Sequence, residues 1–100
     1  MASIDNIFSI ILREANEAGL EAILPYEGTK IWANAWGSMY ISKEGDLGKW
    51  LKKRGKLLSK KGYEVPIPHF SYDVMRAYSN AYKNYMKKYN IMVYDDIEYN

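Results

Sequence analysis

The densest set of chemically similar residues in the sequence is a run of lysines near the middle of the chain. On a helix they fall within about a 100° arc, opposite Leu47, Leu51 and Leu58. The members of this lysine ridge are Lys49, Lys52, Lys53, Lys56 and Lys60. Lysine neutralises phosphates without a fixed geometry, and the release of condensed counterions then adds affinity. We therefore expect the ridge to contact phosphates, most simply those of a nucleic acid; a solvated face, a membrane surface or an acidic groove are the alternatives.

Four tyrosines later in the chain form a second periodic set. Spacings of four, three and four residues place them within about a 60° arc of one helix face. The members of this tyrosine stripe are Tyr78, Tyr82, Tyr85 and Tyr89. Tyrosine joins an apolar ring to a hydroxyl group that needs a partner, which is typical of a half-buried boundary. The stripe either packs within the domain with its hydroxyls at the rim, or it forms a protein interface, where tyrosine is enriched.

Two tryptophans share one side of a predicted strand. Trp32 and Trp36 alternate with Ala33 and Ala35, and Asn34 lies between the two indole rings. The polar Asn34 indicates that this side is not fully buried, so the pair is a candidate binding patch beside the tyrosine stripe. Core packing of both rings is the alternative.

The residues of common catalytic sites do not form a recognisable set. His69 is the lone histidine and the chain has no cysteine, so neither a zinc site nor a catalytic triad is indicated. No G-x-S-x-G motif, phosphate-binding glycine loop or dinucleotide fingerprint is present. Asp95, Asp96 and Glu98 cluster near the end of the chain, where a mobile tail could not preorganise a metal. We therefore predict no enzyme activity, no cofactor and no metal.

The first half of the chain predicts a helix followed by three strands. A helix capped by Ser3 or Asp5 should end at Gly19, with an apolar stripe on one side. Short strands are predicted over residues 22–24, 30–36 and 39–41, with a break at Gly37 and Ser38. They form a small antiparallel meander that the first helix covers.

The second half predicts two helices and a last strand. Asp46 should cap a helix that carries the lysine ridge to Gly62, with Gly55 inside it at a cost of up to about 1 kcal/mol. Two prolines make residues 64–68 an extended linker. A third helix from Ser71 or Asp73 to about Asn90 carries the tyrosine stripe, and a last strand covers residues 91–94.

The fold class predicted is therefore α+β. It is a small antiparallel sheet of three to four strands packed by three helices, in the order α-β-β-β-α-α-β. With 100 residues, 48% of them hydrophobic, the chain has material for one compact domain, residues 1–94, followed by an acidic C-terminal tail, residues 95–100. The absence of cysteine, of a signal peptide and of an apolar run near the ~20 residues needed to span a bilayer predicts a cytoplasmic protein that does not enter membranes.

The order helix, three strands and basic helix over residues 4–62 resembles a double-stranded-RNA-binding domain. In that family a lysine cluster opens the second helix, whereas acids are mixed into Lys43-Glu44-Gly45-Asp46 here. The same order also resembles the core of restriction-type nucleases. Ile41-Ser42-Lys43 lacks the acid of their E-x-K pair. Neither resemblance implies a site residue.

The charge distribution favours a charged partner. Residues 43–62 hold eight basic and two acidic residues, whereas the last six hold three acidic and no basic residues. Such a separation produces a directional field. The leading hypothesis is a non-enzymatic protein that docks its basic helix on an anionic surface. The alternative is a small protein-binding inhibitor or adaptor, such as a phage-encoded inhibitor of a host defence complex, that uses the Tyr/Trp interface. A tyrosine stripe left uncovered would favour a homodimer.

Overall fold

Three helices and four strands form the described part of the chain. The computed structural model describes residues 4–27, 35–55, 58–67 and 71–99. In chain order the elements are α1 (Ile4–Ala22), a 3-10 turn (Leu24–Tyr26), β1 (Ala35–Ile41), α2 (Gly45–Lys53), β2 (Leu58–Ser59), β3 (Gly62–Pro66), α3 (Tyr72–Lys87) and β4 (Val93–Tyr99). The predicted α+β class, with three helices and three to four antiparallel strands, is confirmed. The predicted order is wrong, because two of the strands lie between α2 and α3. The described residues therefore do not form the order that resembled the two nucleic-acid families.

The four strands form one antiparallel sheet in the order β2-β3-β1-β4. In its central strand β1, Met39 pairs with Val65 on one side and with Asp95 on the other. The predicted break at Gly37 and Ser38 is wrong, since β1 runs through both residues. A Cβ atom on Gly37 would lie 2.0 Å from the backbone oxygen of Asp96. Glycine therefore permits a close approach of β1 and β4 rather than ending the strand.

One face of the sheet packs against the helices. Alternate residues of β1 point to this face, and Ala35, Met39 and Ile41 are buried there. The helices contribute the other buried apolar side chains of the same core: Ile11 and Ala15 of α1, Leu47 and Leu51 of α2, and Val74, Met75, Tyr78, Tyr82 and Met86 of α3. Helix α3 lies between α1 and the sheet and contacts β1, β4 and α1. The core is thus confined to one side of the sheet.

Helix α1 continues past Gly19, where the sequence predicted its end. A Cβ atom on Gly19 would lie 2.5 Å from the Tyr78 ring, so this glycine provides the space that lets α1 approach α3. The strand predicted over residues 22–24 is wrong, because the end of α1 and the 3-10 turn occupy them. Most of the strand predicted over 30–36, including Trp32, lies outside the described residues. Neither α1 nor any other described helix is long and apolar enough to cross a membrane.

Helix α2 ends at Lys53. The helix predicted from the sequence continued for eight more residues, to Lys61. Arg54 caps it, and Gly55 follows with a φ of +70°, a left-handed conformation that commonly terminates helices and that glycine adopts readily. The chain then forms the hairpin of β2 and β3. The first part of the predicted extended linker, residues 64–66, belongs to strand β3. Pro66 pairs there with Ser38.

The sequence predicted an acidic tail over residues 95–100. Its described residues, 95–99, instead form part of strand β4. β4 begins near the predicted last strand and continues to Tyr99, pairing with β1 along its whole length. Asp95 and Ile97 point towards the helices, while Asp96 and Glu98 point to the other side of the sheet. The prediction missed this because an alternation of acidic and apolar residues was taken as an acidic run.

Candidate functional site

The face of the sheet that points away from the described helices carries aromatic rings and carboxylates. We refer to it as the open face. Its side chains come from three adjacent strands: Trp36, Ser38 and Tyr40 of β1, Glu64 of β3, and Tyr94, Asp96 and Glu98 of β4. Trp36 and Tyr94 are 53% and 48% exposed. Large aromatic rings with this exposure on a flat sheet are typical of a contact surface rather than of a core.

Strand pairing fixes the arrangement of the open face. Trp36 lies opposite Glu98, and Tyr40 lies opposite Tyr94. Between them is a shallow hollow of about 240 Å³, which we call the sheet hollow. It is lined by Trp36, Gly37, Ser38, Tyr40, Asp96 and Glu98. The sheet hollow therefore combines two aromatic rings with two carboxylates.

Lys61, in the turn between β2 and β3, reaches the edge of the open face. Its ammonium group forms an ion pair and hydrogen bond with Asp96. The same nitrogen lies 5.4 Å from the centroid of the Tyr40 ring, within the range of a cation-π contact. The hydrogen bond to Asp96 raises the pKa of Lys61 and outweighs the opposing effect of desolvation. Lys61 thus stays protonated where it meets this face.

The lysine ridge is not formed. Lys49, Lys52 and Lys53 are exposed on α2, but Lys60 lies in the turn between β2 and β3, and Lys56 lies outside the described residues. The ridge required a helix of four turns, and α2 has only nine residues. Within the described part of the chain, no ion pair joins the three helical lysines to a carboxylate. A smaller basic cluster therefore remains on α2.

The tyrosine stripe lies between α1 and α3. Tyr78 and Tyr82 are 1% and 2% exposed, and the Tyr78 hydroxyl donates to Asn16 of α1. Burial raises the pKa of both tyrosines. The Tyr85 hydroxyl donates to the Glu14 carboxylate, which raises the pKa of Tyr85. Tyr78 and Tyr82 are thus buried within the domain and Tyr85 is hydrogen-bonded to α1, which favours the packing alternative for these three rings over a partner interface.

Two predicted interface residues remain exposed. Tyr89 ends the stripe with 47% of its surface exposed, and its hydroxyl lies 3.5 Å from that of Tyr85. Trp36 confirms the prediction that its side of the strand is not fully buried. An uncovered stripe was the argument for a homodimer, and the cover supplied by α1 removes that argument.

Sequence reasoning missed Tyr40, Tyr94, Asp96, Glu98 and Lys61. Their signal was present as an alternation: Tyr40 follows Trp36 and Ser38 at steps of two, and Tyr94, Asp96 and Glu98 follow one another at the same step. That two such series lie side by side could not be predicted without knowing that β1 and β4 are neighbours.

A larger groove continues from the open face. It has a volume of about 640 Å³ and lies where the start of α2 meets the connection between α3 and β4. Its apolar lining includes Phe8, Ile11, Leu47, Tyr89, Ile91 and Met92, and its polar rim includes Ser42, Glu44 and Asp46. Tyr94 lines the groove and also lies opposite Tyr40 on the open face. Tyr94 therefore links the groove to the open face, but it does not line the sheet hollow.

Asp95 is held by three side chains of α3. Ser79 Oγ donates to Asp95 Oδ2 over 2.7 Å, Lys83 Nζ over 2.6 Å, and Arg76 lies 3.5 Å from Asp95 Oδ1. Burial would raise the pKa of Asp95, but the hydrogen bonds of Lys83 and Ser79 and the charges of Lys83 and Arg76 hold it below its ordinary value. Since Ser79 is fully buried, a substrate cannot reach its hydroxyl. The cluster fastens β4 to α3.

No protein-family model, curated protein or solved structure matches the chain significantly. Among the described residues, no group of three histidine, cysteine or carboxylate side chains is arranged to hold a metal ion. His69 lies outside the described residues. Among the described residues, the open face combines exposed aromatic rings with carboxylates around one hollow.

Proposed function

We propose that this protein is a non-enzymatic protein-binding module that docks through its open face, with Trp36 as the anchor. The observation that carries the proposal is the half-exposed Trp36 on a sheet face that no described helix covers. Tryptophan and tyrosine supply a large contact area with little loss of side-chain entropy, and they dominate the energetics of protein interfaces. An inhibitor or adaptor acts through such docking alone and needs no catalytic group.

Capture of partners from a nuclease-treated lysate tests the proposal. The full chain should retain a protein partner in stoichiometric amount, and the variant Trp36→Ala should lose it. Removal of a central interface tryptophan costs on the order of 2 kcal/mol or more, which is at least about a thirtyfold loss of affinity. Binding of the purified partner would then be compared between the wild-type protein and the variant by calorimetry.

The matched control is Ile10→Ala. Ile10 is also an exposed apolar side chain, but it lies on α1, on the covered side of the sheet. This variant should bind the partner as the wild-type protein does. Equal binding by Trp36→Ala and the wild-type protein, with both folded by circular dichroism, contradicts docking through the open face.

Docking on an anionic surface is the second candidate function. The exposed lysines 49, 52 and 53 on α2 favour it, and the Arg54 guanidinium lies 4.5 Å above the Trp50 ring beside them. A cluster of this size would neutralise a few phosphates, so its affinity for nucleic acid should fall steeply with salt. The charge reversal Lys52→Glu with Lys53→Glu should abolish that binding and leave capture through Trp36 intact. Absence of binding to duplex and single-stranded nucleic acid at low salt would exclude this second function.

A further inference from the structure

The open face is an acidic area on a basic protein. Three carboxylates lie on it, those of Glu64, Asp96 and Glu98, and Lys61 at its edge is the one described ammonium group in contact with it. The whole chain carries a formal net charge of +2. A surface of this sign attracts a cationic partner and repels phosphates.

Lys61 shows that this face binds a cation. Its ammonium group takes the two contacts that the face offers there, a carboxylate oxygen of Asp96 and the Tyr40 ring. Both groups are on the exposed part of the molecule, where such a pair is held weakly and exchanges readily. An incoming cation can therefore replace Lys61 at Asp96.

The sheet hollow beside Lys61 offers a second set of the same contacts. It is bounded by the Trp36 ring, which is the best cation-π acceptor among the aromatic side chains, and by the carboxylate of Glu98. A planar guanidinium stacks on an indole ring and pairs with a carboxylate through two hydrogen bonds. Arginine fits these groups better than lysine does.

We infer that the open face binds an arginine-rich segment of a partner protein, with one arginine side chain in the sheet hollow, and that Lys61 competes with this segment for Asp96. This inference rests on the proposed protein-binding function and adds the chemistry of the partner. Charge complementarity favours such a segment over nucleic acid, because the three carboxylates repel phosphates.

Titration of the full chain with a short oligoarginine peptide tests the inference. Substitution Lys61→Met frees Asp96 and should raise the affinity about three- to tenfold, since it removes an exposed competitor. The double substitution Asp96→Asn with Glu98→Gln should lower the affinity at least about tenfold, because both charge-assisted contacts are lost. Calorimetry at constant ionic strength gives both dissociation constants.

Two control variants test whether a change in affinity comes from this site or from the change in net charge. Lys60→Met removes the same charge from the neighbouring position of the same turn, and it should leave the affinity near that of the wild-type protein. Glu17→Gln with Glu21→Gln removes two carboxylates from α1 and should also have little effect. The inference is overturned if Lys61→Met binds oligoarginine no better than Lys60→Met, or if the two double variants bind it equally well.

The same variants distinguish this inference from the proposed function. If Trp36→Ala loses the captured protein while Asp96→Asn with Glu98→Gln retains it at wild-type affinity, docking on the open face stands and the cationic partner is wrong. If neither variant loses the protein, both are wrong. An acidic or nucleic-acid partner overturns the inference. A molecular mass by light scattering that rises with protein concentration also overturns it, because it would identify a second copy of the chain as the occupant.

Discussion

At the scale of single residues, Asp95 links strand β4 to helix α3. Its neighbour Asp96 has the same chemical type but points to the open face, where it meets Lys61. Asp95 instead lies against α3, where Lys83 and Ser79 satisfy a carboxylate that is mostly removed from solvent. Removing one partner of such a cluster leaves the other groups without compensation, and this costs more than an exposed pair contributes.

The variant Asp95→Asn should lower the free energy of unfolding by about 1–3 kcal/mol at neutral pH, because it removes hydrogen bonds to a charged group. The pKa of Asp95 is lowered by folding. Its stabilising effect is therefore complete above the ordinary aspartate pKa of about 3.9 and is lost as the pH falls through the lower value of the folded state. Urea denaturation of wild type and variant over this pH range measures the difference.

The two curves should converge at acidic pH, where the wild-type carboxyl is protonated. Asp96→Asn is the matched control, and it should leave the stability at neutral pH almost unchanged because that pair is exposed. A variant Asp95→Asn as stable as the wild-type protein at neutral pH would contradict the role of the cluster.

Glycine shows where prediction from residue types reaches its limit. Gly19 was expected to end α1, yet it lies inside the helix and accommodates the Tyr78 ring. Gly55 was expected inside α2, yet its positive φ follows the end of that helix. Both outcomes are permitted by the same conformational freedom. For Gly19 the packing of α1 on α3 decides the outcome, and this contact with Tyr78 is between residues 59 positions apart in the sequence.

At the scale of elements, long periodic segments were predictable and short ones were not. α3 lies within one residue of its predicted start and about three of its predicted end, because its apolar period extends over four turns. The helix predicted for the lysine ridge was wrong beyond Arg54, because lysine has a high helix propensity and Gly55, which follows the end of α2, was placed inside the helix. The candidate site was not predicted either, because the open face exists only when β1 and β4 pair.

Deletion of residues 95–100 tests the strand character of β4. We expect the free energy of unfolding to fall by at least about 3 kcal/mol, because the deletion removes the Asp95 cluster, the partly buried Ile97 and most of the pairing with β1. Thermal denaturation followed by circular dichroism measures the loss. A mobile tail, by contrast, could be removed without effect.

A rearranged segment controls for charge in that experiment. Reordering residues 95–100 with the same composition keeps the three carboxylates and destroys the alternation of Ile97 with the acids. This variant should be destabilised about as much as the truncated one. Stability equal to that of the wild-type protein for both variants would mean that β4 ends at Tyr94.

At the scale of the whole molecule, tyrosines of α3 contribute to the contact between α1 and the rest of the fold. The chain has ten tyrosines, and Tyr78, Tyr82 and Tyr85 lie at this contact with their pKa values raised by burial or by hydrogen bonding. A raised pKa means that folding holds the phenol in its neutral form. We therefore expect the stability of the fold to fall when these phenols ionise.

Alkaline pH should destabilise the protein. The contribution of these tyrosines is complete below their unfolded pKa of about 10 and is lost as the pH rises through the higher values of the folded state. In that interval, each buried phenol lowers the free energy of unfolding by about 1.4 kcal/mol per pH unit. Urea denaturation from neutral pH to above about 10 gives the slope, and ultraviolet absorbance of phenolate should show some tyrosines ionising only on unfolding.

The variant Tyr82→Phe should reduce the slope, because it removes a buried phenol. Tyr94→Phe removes an exposed phenol of the open face and serves as the control, with no expected change. Equal slopes for wild type and Tyr82→Phe would contradict a neutral buried Tyr82.

β4 lies at the border of the sheet, with β1 as its one strand neighbour among the described residues. Its outer backbone groups could template pairing with the same strand of another molecule, which is the common first step of edge-to-edge aggregation. Antiparallel self-pairing of this strand would bring its aspartates and its glutamate near their own copies. We expect repulsion between these carboxylates to oppose such pairing, and their neutralisation in acid should favour growth of fibres through this strand.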